Sequence, residues 1–266
     1  MSPGGQEQVP FKDRIFQSAR ERSSKVILAI DLDGPRPQAL LQEGSRLLRS
    51  TEGFLCAVKM GRQTVLNLGT RGAKSLVGLA HDYGLPCIID DKLNDIDETN
   101  LAITSAYFRL GFDAIVVNPF AGWKGALEPV FRLAHEQGRG VIVLVYMSHP
   151  DASSSYGQNV LRKKGAVEKQ YMVFARVAAR WKADGVVVGA TRPNVVREVD
   201  RVLGKRIPIY SPGIGIQGGR MRTASLAGTS YFIIGRSITR SEIPRNAVAN
   251  YARMSMSAKG RETVSS

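Results

Sequence analysis

The chain is poor in the residues that most often declare a chemistry. It has two cysteines, Cys56 and Cys87, and no CxxC, so a disulfide framework and a cysteine metal site are both excluded. Both lie in apolar, strand-like stretches and read as buried thiols of a reduced compartment, which points to the cytoplasm. Histidine is nearly as scarce: His81 and His135 fall at helix ends and His149 sits beside Ser148, where it shapes a turn. No catalytic triad or metal cluster can be assembled from these three. The longest uninterrupted apolar run, 141–147, has seven residues and cannot span a bilayer. The first two dozen residues hold no apolar segment of the kind a secretion signal needs. Acidic residues are outnumbered, with 23 against 37 basic ones, for a formal net charge of +14. Part of the excess is local, since 162–182 carries seven basic residues against one acid, Glu168. Polyanion binding is one reading; a basic surface around an anionic substrate is the other. No RNA-binding signature and no aromatic-interleaved basic stripe accompanies the charge, so nucleic acid is not the expected partner.

What is present is a 266-residue chain of ordinary globular composition, 43% hydrophobic and 23% charged. Short β-branched runs at 26–31, 55–60, 86–92, 114–118, 140–148, 185–188, 208–211 and 231–235 alternate with segments of helical period. Four stripes are clear: Ile103, Ala106, Tyr107 and Leu110; Leu127, Val130, Phe131 and Ala134; Phe174, Val177, Ala178 and Trp181; and Val196, Val199 and Leu203. A last helix over 244–254 carries Ala247, Val248, Tyr251 and Met254 on one face. Alternating βα units require a parallel sheet, and eight of them predict a single closed (β/α)8 barrel of the TIM type. An open doubly wound sheet is the rival, but nothing like GxGxxG follows the first strand. Phe11, Ile15, Phe16 and Ala19 predict a short N-terminal helix that caps the barrel floor. The expected division is a loose tail over 1–9, one barrel domain over 10–255 and a second loose tail over 256–266. The connection 148–168 is unusually long and reads either as a mobile lid or as plain disorder.

The informative residues stand where apolar strands finish. Strand side chains alternate faces, so Ile88, Asp90 and Lys92 share one face while Asp91 takes the other. Asp31 after the first strand and Lys59 at the end of the second have the same inward parity. Two carboxylates and two ammonium groups thus converge on the carboxyl end of the barrel, where barrel enzymes place their chemistry. A salt-bridge network that merely closes the barrel top is the bland alternative. A lysine between carboxylates keeps its proton, which suits it to stabilise and protonate a carbanion. Beyond the last two strands lie 211–219, rich in glycine, and then Gly235-Arg236-Ser237. Glycines let backbone N–H groups approach an anion and arginine can grip it in two places, so a phosphate ester is the expected substrate.

These residues resemble the orotidine 5′-monophosphate decarboxylase family, and its archaeal-type branch in particular. Asp90-Asp91-Lys92-Leu93-Asn94-Asp95-Ile96-Asp97-Glu98-Thr99 fits the family pattern DxKxxDIxxT. Leu28-Ala29-Ile30-Asp31, Val58-Lys59-Met60-Gly61, Met147-Ser148-His149-Pro150, 212–219 and Gly235-Arg236-Ser237-Ile238 recur in the same order. The resemblance implies loss of carbon dioxide from orotidine 5′-monophosphate to give UMP, the last step of pyrimidine biosynthesis, in a homodimer with no metal or cofactor. It makes Lys92 the proton donor to C6 and sets Asp90 against the departing carboxylate. Lys59 links Asp90 to the ribose hydroxyls, which Asp31 also binds. Asp95, completing the charged array, and Thr99, contacting the ribose, reach into the neighbouring subunit's site. Ser148 reads the pyrimidine edge, Gln217 bridges base and phosphate, and Gly235 and Arg236 hold the phosphate. Ile96, Pro212, Gly213 and Gly215 complete the implied substrate-binding set.

Two departures stand out: Asp97 replaces a proline common in that branch, and Asn118-Pro119-Phe120-Ala121-Gly122 replaces a His-Gly-type segment. The nearest rival is a sister activity on the same scaffold, a sugar-phosphate decarboxylase or hexulose-phosphate synthase working through a metal-bound enediolate. A barrel that binds nucleic acid is the second. Trp123 and Trp181 read as packing residues.

Overall fold

The computed structural model describes residues 9–162 and 165–257. Among the described residues ten strands form, β1 (Val26–Ile30), β2 (Ala57–Gly61), β3 (Cys87–Leu93), β4 (Ala114–Val117), β5 (Gly140–Tyr146), β6 (Asn159–Leu161), β7 (Val167–Lys169), β8 (Gly185–Val188), β9 (Ile209–Pro212) and β10 (Tyr231–Ile234). Eight of them close into a barrel in the order β1-β10-β9-β8-β5-β4-β3-β2, with every barrel pair parallel. These are the eight expected strands, displaced at their ends by a residue or two. Their near-continuous burial explains why they read as unbroken Val/Ile/Leu runs: each strand is covered inside by the barrel core and outside by helices.

At the amino-terminal end of the barrel lies the helix Phe11–Glu21, with Phe11 and Ile15 buried. Phe11 donates its N–H to Gly138 O, and its ring lies so close to Gly140 that a Cβ there would collide with it. Glycine at the start of β5 is what lets the helix dock. Arg14 of this helix pairs with Asp113, which also accepts from His81 Nε2 at 2.8 Å and from the Cys87 N–H at 2.7 Å. A parallel arrangement stands beside it, where Asp184 accepts from the Val141 N–H at 2.8 Å and meets His135 at 3.3 Å. In each, an aspartate just before one strand caps the start of its neighbour and holds a histidine from a helix end.

Several expectations need correction. The connection 148–168 is neither plain disorder nor a bare loop: it holds the helix Ala152–Ser155 and an antiparallel hairpin of β6 and β7, with Val160 opposite Glu168. Lys163 and Lys164, part of its basic cluster, lie outside the described residues, as do 1–8 and 258–266 of the expected tails. The last helix runs Pro244–Ser257, so 256 and 257 belong to it and not to a tail, and its buried face is Val248, Ala252 and Ser255 with Met254 exposed. The helix Asp97–Arg109 is rotated from its predicted stripe: Asn100, Thr104 and Phe108 are buried, Ile103 and Tyr107 half-buried, and Ala106 exposed. Asn100 explains the rotation, because its amide donates to Asp95 O at 2.6 Å and Ala126 O at 3.1 Å, so a polar side chain occupies a core position. Trp181 is buried and packs on the half-buried Trp123 with ring centroids 5.2 Å apart, so both are packing residues as expected. Among the described residues no helix is long and apolar enough to cross a membrane.

Candidate active site

The carboxyl ends of β1, β2 and β3 bring four charges into one chain of contacts. Lys59 Nζ donates to Asp31 Oδ1 at 2.9 Å and to Asp90 Oδ2 at 3.4 Å, and Lys92 Nζ donates to Asp90 Oδ1 at 2.7 Å. The predicted inward parity of these residues is therefore observed, and Asp91 faces the opposite way. Asp31 is held at both sides by backbone: the buried Thr64 hydroxyl donates to Ile30 O at 3.0 Å and accepts from the Leu32 N–H at 3.0 Å. Gln63 Nε2 also reaches Asp31 Oδ1 at 3.3 Å.

Burial alone would lower the pKa of the Lys59 ammonium, but the charges of Asp90 and Asp31 outweigh it and raise it above its ordinary value. Asp90 shows the mirror image. Desolvation pushes its carboxyl up, yet Lys59 and Lys92 together pull it below the usual range. Lys59 and Asp90 therefore face each other as an ammonium and a carboxylate at neutral pH. Each buried charge is tolerable only because the next one faces it.

Lys92 has φ 59°, one of three non-glycine residues with positive φ among those described. That left-handed conformation costs about 1–2 kcal/mol for a lysine and is held only where its surroundings enforce it. The β3–β4 pairing breaks at the same place, running Ile88 with Ala114 and Ile89 with Ile115, then resuming only at Leu93 with Val117. Asp90, Asp91 and Lys92 thus form an arch released from the ladder with β4, while Asp90 keeps its register with Gly61 of β2; it is a bulge of the kind that re-aims side chains at functional sites.

The array opens into a cavity of about 270 Å³. Its lower wall is apolar, made by Ala29, Ile88, Val116, Ile142, Leu144, Val187 and Ile233, and its far rim carries Ser148, Pro212, Gly213, Gln217, Gly235 and Arg236. Gly213 sits at φ 96°, and a Cβ there would crowd Gln217 Oε1 at 3.0 Å and Ser148 Cβ at 3.1 Å. The glycine lets its own loop close against the one that carries Ser148. Gly235 does the same against Ala29, whose Cβ would be 3.3 Å away. The result is a charged end and a glycine-and-arginine end, separated by an apolar floor that would suit a flat ring.

Of the expected substrate-binding residues, Ile96 and Gly215 do not line this cavity; neither do Asp95 and Thr99, whose expected place is the neighbouring subunit's site. Asp95 is exposed and spends its carboxylate on the Ile96 N–H at 2.8 Å; Ile96 is itself 60% exposed. Gly215 shapes the turn, at φ 80°, where a Cβ would collide with Ser237 Oγ. Sequence reasoning missed Met147, Ile216, Ser237 and Thr239, which line the cavity beside motif residues, and set aside His149, which lines it too. Met147, Ile216, Ser237 and His149 lie inside the quoted motifs and Thr239 directly follows one, and that membership was the available signal.

A histidine-bearing cluster was also missed: His81, Cys87 and Asp113 bring possible ligand atoms within 4.8 Å of one another at the barrel floor. Arg14 already neutralises Asp113, and burial holds the Cys87 thiol well above its ordinary pKa. A cation would have to displace one and ionise the other, so the group reads as structural.

The comparisons with known proteins fall in line with this geometry. Residues 24–251 match the family model "Orotidine 5'-phosphate decarboxylase / HUMPS family". The chain is 33% identical over 232 residues to the orotidine 5'-phosphate decarboxylase of Methanosarcina mazei, covering 87% of this chain and 95% of the relative. It is 37% identical over 222 residues to the enzyme of that name from Pyrococcus furiosus, covering 84% and 93% respectively. Among solved structures, the orotidine 5'-monophosphate decarboxylase of Methanocaldococcus jannaschii, complexed with the inhibitor BMP, superposes with a TM-score of 0.72. That match has 26% identity and covers 87% of this chain and 98% of the other. With a barrel whose charged strand ends face a glycine-and-arginine rim, and with relatives matched over nearly their whole length, the chain belongs to the orotidine 5'-phosphate decarboxylase / HUMPS family of enzymes.

Proposed function

We propose that the protein converts orotidine 5′-monophosphate to UMP and carbon dioxide, with its own side chains supplying the chemistry and no metal or cofactor taking part. The observation that carries this reading is the Lys92 ammonium, held 2.7 Å from Asp90 at the mouth of the cavity. In the reaction the bond between C6 and the carboxylate breaks and its electron pair stays on C6. Lys92 faces that developing charge as a fixed cation and then gives its proton to C6, so the product carries hydrogen where the carboxylate was. Asp90 holds Lys92 in place and stands against the substrate carboxylate. Lys59, fixed between Asp31 and Asp90, joins this pair to the ribose hydroxyls, which Asp31 also binds. Gly235 and Arg236 take the phosphate, Gln217 spans phosphate and base, and Ser148 reads the pyrimidine edge. Pro212, Gly213 and Gly215 shape the loop that follows the substrate.

The site is completed by a second copy of the chain. Asp95 and Thr99 do not line the cavity of their own chain, and Ile96 between them is an exposed apolar side chain, which fits a loop reaching into a partner's site. Two buried free thiols fit a reducing compartment, and the cytoplasm is the location proposed.

The matching family also spans the HUMPS enzymes, so a metal-dependent sugar-phosphate reaction is the second reading. A spectrophotometric assay of orotidylate loss with EDTA present separates the two. Turnover that survives the chelator supports direct decarboxylation; turnover that is abolished by EDTA and restored by magnesium overturns it.

A further inference from the structure

Asp91 is a buried charge that the proposed reaction leaves unused. It stands between Asp90 and Lys92 but turns out of the barrel, where it is only 6% exposed. Its carboxylate accepts from Tyr107 Oη at 2.6 Å and from Arg62 Nη1 at 3.5 Å. Tyr107 belongs to the helix Asp97–Arg109 and Arg62 opens the helix Arg62–Asp82, so one side chain ties the tip of β3 to the helices that flank it. Desolvation first, then the hydrogen bond to Asp91, raises the Tyr107 phenol above its ordinary pKa, and it remains a donor. The pattern DxKxxDIxxT leaves this position open, so the resemblance assigns it nothing.

The need for an anchor is visible in the backbone. Asp90, Asp91 and Lys92 have left the ladder with β4, and Lys92 is left-handed. Inside the cavity, Asp90 and Lys92 bond each other at 2.7 Å, the link from Asp90 to Lys59 is longer at 3.4 Å, and on the backbone side Asp90 keeps its register with Gly61 of β2. The short bond that ties the arch to the surrounding helices is the one from Tyr107 to Asp91. A carboxylate removed from water accepts a phenol strongly, because nothing else there can satisfy it.

We infer that Asp91 and Tyr107 are positioning residues, whose hydrogen bond pins the β3 arch in the left-handed turn that presents Lys92 to the reacting carbon. The inference rests on the reaction proposed above only in naming the atom that Lys92 serves.

Two variants test it. Tyr107→Phe deletes one hydroxyl and leaves the ring against Phe112, while Asp91→Ala removes the acceptor. Each should lower kcat roughly 10- to 100-fold, the scale expected when a catalytic group is misplaced by about an ångström. KM should stay within about twofold, since the binding groups are untouched. Asp91→Asn, which keeps an oxygen for Tyr107, should recover most of the loss. Crystal structures of Tyr107→Phe and Asp91→Ala should show Lys92 out of the left-handed region and its Nζ detached from Asp90. A kcat that stays within about twofold of the parent in both variants overturns the inference, as does a rise in KM or a drop in Tm with kcat intact. If the parent protein does not turn over orotidylate, the proposed reaction fails and the crystal structures decide alone. A relaxed arch then upholds the positioning role, and an unchanged one ends it.

Discussion

A single lysine carries the chemistry proposed for this site, and its environment says why it could not be moved. Lys92 is aimed by a backbone conformation that few residues accept and is clasped by a carboxylate that two ammonium groups keep ionised. Lys92→Ala should lower kcat on orotidylate by at least about a thousandfold, the combined scale of a lost proton donor and a lost electrostatic stabiliser. Its Tm should stay within about 3 °C of the parent, because the deleted side chain is partly exposed. Wild-type-like turnover in that variant would remove Lys92 from its role. Arg236 lies at the other end of the cavity and is exposed. Losing a charge-assisted bond to phosphate costs about 1.5–3 kcal/mol, so Arg236→Ala should raise KM for orotidylate roughly 10- to 150-fold. The same substitution should leave the slow reaction of unphosphorylated orotidine unchanged; an equal loss on both substrates means that Arg236 serves something other than phosphate. At this scale the sequence was highly legible. The period of two along a strand is enough to say that residues 88, 90 and 92 share a face. The positive φ of Lys92 and the outward anchorage of Asp91 were not legible, since both depend on how β3 leaves β4.

Elements tell a mixed story. The eight barrel strands are evident because burial on both faces requires unbroken apolar runs bounded by polar turns. Helix faces are harder, as the helix Asp97–Arg109 shows: a buried asparagine satisfied by two carbonyls rotates it away from its apolar stripe. The hairpin of β6 and β7 was hidden for a related reason, since its strands are three residues long and half exposed. At the barrel floor, Asp113 joins the N-terminal helix to β3 and β4 through Arg14, His81 and the Cys87 N–H. Asp113→Ala would leave a half-buried guanidinium and a buried amide without their acceptor, a loss of about 3 kcal/mol on the scale of a broken buried pair. For a chain of this size that is a fall in Tm of roughly 6–12 °C, measurable by calorimetry. Catalytic constants should not change, because the cluster sits at the opposite end of the barrel. A Tm that moves by less than about 2 °C would show that the floor contacts add little to stability.

Across the whole molecule, the proposed sharing of Asp95 and Thr99 makes a quantitative claim. Lys92→Ala and Asp95→Ala should each be nearly inactive alone. If the two are unfolded together and refolded as a mixture, half of the dimers are hybrids, and each hybrid holds one site with both residues intact. Activity should return to about a quarter of the parent value in a two-fold symmetric dimer. A mixture as inactive as its components would place Asp95 in its own subunit's site or outside the reaction altogether.

Local periodicity and composition were sufficient for the parallel barrel, the inward charges and the glycine-rich far rim, because each follows from side-chain spacing along one segment. The tertiary structure alone decided the arch of β3, the rotation of the helix Asp97–Arg109 and the meeting of Gly213 with Ser148. These depend on where two distant segments touch, and the energy of such a contact belongs to the pair of segments, so no single stretch of sequence carries its signature.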